Sequence, residues 1–185
     1  DLFQVYKGTA QIEYQDATEF FGRTYVTEGM KGLLHQAIKR VSGLGGEPVI
    51  QLKTSFGGGK THSMLALYHL LRGPSKLVKI PHVKNVIDEA GIDILPKAKV
   101  AVLVGTALNP SKIRRPANFP GITIRTIWGE MAAQLAEQAG NPKLYDIVRD
   151  ADKASVPPGS EALMELFDSS GQCVILIDEL VAYAR

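Results

Sequence analysis

The chain has 185 residues, 45% hydrophobic and 22% charged, with a formal net charge of +2; this is the length and make-up of one ordinary soluble domain, and so small a charge does not by itself argue for nucleic acid, which asks for a basic face or stripe. The single cysteine, Cys173, excludes an internal disulfide and fits a reducing compartment. No apolar run approaches the roughly 20 residues that span a bilayer, and no signal peptide opens the chain, so the expected setting is the cytoplasm, with no membrane partner.

Residues 1–17 mix apolar and polar positions without a clear period and are expected to form a short strand or a lead-in segment. Thr27 is placed to cap a helix through Met30, Leu33, Leu34, Ile38 and Val41, whose spacing is helical; Gly43, Gly45 and Gly46 stop it. Residues 48–53 read as a short strand, followed by a glycine run and an apolar helix from Lys60 to about Leu71. A short helix is expected from Val83 to Ala90. Residues 99–104 form a continuous apolar run, as in a strand buried on both faces. The proline-rich stretch 105–123 is a loop carrying Arg114 and Arg115. Helices are expected over 126–139, 142–150 and 160–170, and a final apolar strand over 173–177 is closed by Asp178 and Glu179. Strands alternating with helices imply a mostly parallel sheet with right-handed crossovers. Both ends look cut: the chain opens on Asp1 and stops at Arg185, which reads as a piece of a larger protein whose remaining domains are its first expected partners.

The run Thr54-Ser55-Phe56-Gly57-Gly58-Gly59-Lys60-Thr61 matches a phosphate-binding P-loop, with Thr54 where the usual pattern has its first glycine. Consecutive glycines let backbone N–H groups curl inward as an anion nest, and the helix that follows adds free N–H groups and a partial positive charge. Lys60 would reach the β- and γ-phosphates, and Thr61 would place its hydroxyl on Mg²⁺. His62 stands on the first helical turn, where packing or capping competes with a part in nucleotide binding. The apolar strand ending in Asp178-Glu179 resembles a Walker B motif. Asp178 would hold Mg²⁺, and Glu179 would orient the attacking water. Thr54 to His62 are thus the candidate nucleotide site, Thr61 and Asp178 the metal ligands, and Lys60 and Glu179 the catalytic pair, with ATP and Mg²⁺ as cofactors.

Together these motifs resemble the additional-strand, catalytic-glutamate branch of P-loop ATPases, which includes the AAA+ proteins. Within it the chain looks like the DUF499 family of large prokaryotic ATP-binding proteins, on the runs Phe21-Gly22-Arg23-Thr24-Tyr25-Val26-Thr27-Glu28-Gly29, Thr54 to His62, and Thr126-Ile127-Trp128-Gly129-Glu130. The resemblance implies a three-layer α/β/α fold truncated after the Walker B strand, with 1–47 as a lead-in region packed on an ATPase core of 48–185. It implies that Phe20, Phe21 and Tyr25 either flank the adenine or pack in the core. It also implies that Thr106 or Asn109, after the middle strand, can restrain Glu179. A role in DNA-directed anti-phage defence follows by association, with DNA and further copies of the chain as candidate partners. Two functions compete: an ATPase, and a nucleotide-gated assembly module with little hydrolysis. A small-molecule kinase fits less well, because an acid placed like Glu179 invites water.

Overall fold

The computed structural model describes residues 1–53, 59–109 and 111–183. The chain is a mixed α/β protein that divides into two compact units, Asp1–Ala98 and Lys99–Arg185.

The first unit is helical among its described residues. Its opening forms no strand; the lead-in segment consists of three short helices: α1 (Leu2–Lys7), α2 (Ile12–Gln15) and α3 (Ala17–Arg23). Caps decide this. Asp1 accepts the Phe3 N–H at 2.8 Å, and Asp16 accepts those of Thr18 and Glu19 at 2.8 and 2.9 Å, satisfying donors that a helix start leaves open. Thr27 caps α4 (Glu28–Val41) through the Met30 N–H. Helix α5 (Lys60–Arg72) packs against α4, α3 and α1. A 3-10 turn (Ser75–Lys79) leads into α6 (Pro81–Glu89), which opens on proline. The strand expected over 48–53 does not form, and Val49 is 83% exposed. A strand is held by the N–H and C=O groups of a neighbour, and among the described residues none pairs with this segment.

The second unit is built on two parallel strands, β1 (Lys99–Val104) and β2 (Cys173–Asp178), in register from Lys99 opposite Cys173 to Val104 opposite Asp178. Between them come α7 (Ile127–Ala139), α8 (Lys143–Asp146), α9 (Arg149–Ala154) and α10 (Ser160–Ser170); a single turn, α11 (Leu180–Tyr183), follows β2. The helix expected over 142–150 is two helices, α8 and α9, joined through Ile147 and Val148. β1 is buried almost throughout, as its apolar run predicts, and α7 packs on it. The core gathers Ala101 and Leu103 of β1 with Leu135, Tyr145 and Leu166. β2 is more open than its composition suggests: Leu176 is its one buried residue, and Ile177 is 48% exposed.

Candidate functional site

The predicted site residues fall into two groups, one in each unit. Of the nucleotide-binding set, Thr54, Ser55, Phe56, Gly57 and Gly58 lie outside the described residues. The rest form the start of α5. Gly59 caps that helix at φ 73° and ψ 16°, a left-handed conformation that glycine adopts without strain. Its carbonyl accepts the Ser63 N–H at 2.9 Å and the Ser63 hydroxyl at 3.0 Å. Lys60 and Thr61 therefore stand on the first turn of a 13-residue helix, where the helix dipole favours negative charge.

His62 packs within its unit. Its ring lies 4.7 Å from that of Phe20, and its Nε2 is 3.1 Å from the Thr24 hydroxyl, which donates to the Phe20 carbonyl at 2.7 Å. Burial holds its imidazole below the ordinary value. Two helical turns on, His69 flanks Phe20 at 5.0 Å, and its Nε2 lies 2.7 Å from the Tyr14 carbonyl. Phe20 and Phe21 are buried core residues, so the packing alternative describes both. Tyr25 is the opposite case, 85% exposed in the extended link between α3 and α4.

In the second unit the parallel register brings the ends of β1 and β2 side by side. Asp178 closes β2, and its carbonyl accepts the Gly105 N–H at 2.9 Å. Glu179 follows at φ 52°. The Thr106 hydroxyl donates to Glu179 Oε2 at 2.5 Å. Of the two restraining residues expected, Thr106 makes the contact. Asn109 instead uses its Oδ1 to accept the Ser111 N–H at 2.8 Å, in a local turn.

The run from Thr126 to Glu130 also acquires a physical account. Thr126 caps α7 through the Gly129 N–H. Asp152 of α9 is fully buried and accepts from the backbone of Arg125 and Thr126, from the Thr126 hydroxyl, and from the Tyr145 hydroxyl at 2.6 Å. A Cβ on Gly129 would overlap that carboxylate, so the position needs glycine for space. Glu130, also buried, receives Arg114 and Gln134. Arg114 is thereby tied to its own unit, while Arg115 stays exposed. Sequence reasoning missed Gly105, a neighbour of Glu179: a Cβ there would overlap the Glu179 carbonyl oxygen. The Val-Gly-Thr step at the end of an apolar strand is the signal that points to it.

Among the described residues no helix is long and apolar enough to cross a membrane. What the strands and helices define is a mixed α/β domain whose paired parallel strands end in an acidic step and a small polar turn. The chain belongs to the DUF499 family: the model of the DUF499 N-terminal domain matches residues 1–185. No curated protein and no solved structure matches the chain.

Proposed function

We propose that the chain is a Mg²⁺·ATP-binding module of the AAA+-like branch of P-loop ATPases, with a three-layer α/β/α core, and that it hydrolyses ATP. The observation that carries this reading is the end of β2. There an acid one residue beyond the strand has a left-handed backbone and a hydroxyl bonded to its carboxylate. Such local strain is characteristic of functional positions. Lys60 and Thr61, on the first turn of a helix opened by a left-handed glycine, are a second support for it. In this reading Lys60 stabilises charge on the β- and γ-phosphates, and Glu179 orients and polarises the water that attacks the γ-phosphorus. The Thr61 hydroxyl and Asp178 carboxylate are hard oxygen donors that suit Mg²⁺, which would neutralise charge on the phosphate oxygens. A nucleotide titration of the 185-residue chain, with and without Mg²⁺, tests the binding step. The Lys60→Ala chain should lose binding, and equal affinity in the two chains would remove the basis for the site. Turnover should collapse in Glu179→Gln while binding survives.

The Thr106–Glu179 bond also favours a second reading, a nucleotide-gated assembly module in which the acid is held back from water. That reading expects ATP to change the chain's assembly state with negligible turnover. Sedimentation with and without ATP separates the two, and an unchanged sedimentation profile counts against the second.

A further inference from the structure

Two non-glycine residues among those described have positive φ, Ser155 and Glu179. Ser155 closes α9 as a left-handed C-cap, an ordinary place for that conformation. Glu179 joins a strand to a helical turn, and nothing in its own side chain asks for φ 52°. The cause lies across the strand pair. The Gly105 N–H donates to the Asp178 carbonyl at 2.9 Å, carrying the ladder one residue beyond β1. The Glu179 carbonyl then turns onto Gly105 itself: a Cβ there would overlap its oxygen, would lie 2.8 Å from its carbon, and would come 3.1 Å from the Tyr183 nitrogen. The same carbonyl accepts the Ala182 N–H at 2.9 Å and so begins α11. Gly105 does not itself have a positive φ. What the position requires of glycine is empty space.

We infer that Gly105 is a positioning residue for Glu179: the space left by its missing side chain seats the Glu179 carbonyl on the end of β1, and that seating imposes the left-handed turn that brings the carboxylate to Thr106. The catalytic consequence rests on the ATPase reading above; the backbone claim does not.

The test compares Glu179→Gly with Glu179→Ala, each with Gly105 retained and each with Gly105→Ala. Both substitutions at 179 remove the carboxylate and its bond to Thr106, so their difference isolates the backbone. With Gly105 present, Glu179→Gly should melt higher than Glu179→Ala by about 2–4 °C, because alanine is strained at positive φ and glycine is not. With Gly105→Ala the gap should close. A gap that persists there, or Glu179→Ala melting at or above Glu179→Gly with Gly105 present, overturns the inference. The second of these outcomes needs no folded Gly105→Ala chain. For turnover, Gly105→Ala alone should lower kcat by about 100-fold, as small misplacements of a catalytic group do, with ATP affinity unchanged; retained kcat counts against the positioning role. A wild-type chain that neither binds nor hydrolyses ATP sinks the ATPase reading and leaves the melting comparison to judge Gly105.

Discussion

A carboxylate sealed from water keeps its charge only if hydrogen bonds replace its hydration. Asp152 meets that condition with two backbone N–H groups and two hydroxyls. Two of those donors belong to Thr126, the residue that caps α7, so one side chain of α9 holds the start of the longest helix in its unit. The negative charge also lies where a helix dipole favours it. Removing the acceptor strands every donor at once. Asp152→Ala should therefore cost on the order of 3–5 kcal/mol, the range for breaking a buried charged network, read as a lowered midpoint in urea at unchanged slope. Tyr145→Phe leaves the Thr126 bonds in place and should cost less, about 1–3 kcal/mol. The comparison also separates the two partners. Burial, and after it the bond to Asp152, push the Tyr145 phenol above its ordinary value, so the hydroxyl stays a donor throughout the range in which the protein can be studied.

Among the elements, α7 and β1 make a contact that hydrophobic spacing does not disclose. The Gln134 carboxamide accepts the Val102 N–H at 2.7 Å and donates to the Val102 carbonyl at 2.9 Å; Gln138 does the same with Val100, at 2.8 and 2.9 Å. The match is geometric. Four residues of helix rise about 6 Å, and two residues of strand about 6.6 Å. Two glutamines one turn apart thus stand in for a neighbouring strand and close that edge of β1, which an unpaired strand leaves open. Gln134→Leu keeps the volume and removes the pairing, leaving Val102 and Glu130 short of partners; it should destabilise by about 2–4 kcal/mol, with faster amide exchange at Val102. In the sequence, Trp128, Met131 and Leu135 announce a buried helix, Thr126 and Gly140 mark its ends, and the apolar runs announce both strands. Nothing in that pattern singles out the two glutamines, because their partner is a backbone edge and not a side chain. The short helices at the start were hidden for a related reason: α1 and α3 are each held by one aspartate cap, α2 has no side-chain cap, and none of the three is long enough for a period to emerge. Residues 48–53 erred the other way. Their composition suits a strand, but a strand exists only with its neighbour. At the site, the acid and the threonine that binds it were visible as residue types; Gly105 showed only as a glycine closing an apolar strand, because what it contributes is the absence of atoms.

For the whole molecule, a net charge of +2 at pH 7 leaves little global repulsion near neutrality, while most carboxylates stay ionised, so pH dependence in that window must come from particular groups. All four histidines, His35, His62, His69 and His82, belong to the unit Asp1–Ala98. His69 is buried, and burial pushes its imidazole below the ordinary 6.5, against smaller opposing effects of the Tyr14 carbonyl and Asp16. His62 is lowered in the same direction. The unfolded chain then binds protons that the folded chain refuses, so stability rises with pH through this window. The contribution is complete above about 6.5 and is lost as pH falls from there towards the lowered folded values. Asp16 adds a separate, more acidic step. Its N-cap bonds, led by that from Glu19, hold its carboxyl below the ordinary 3.8, and this contribution disappears as pH falls through that lowered value. Urea unfolding at pH 7.0 and 5.5 should therefore show a lower midpoint at 5.5. The His69→Gln chain, which keeps an amide donor near the Tyr14 carbonyl but cannot take up a proton, should lose part of that difference. A His69→Gln chain with the full wild-type difference between the two pH values would move the acid sensitivity away from His69 and onto other groups, His62 on the opposite flank of Phe20 first among them.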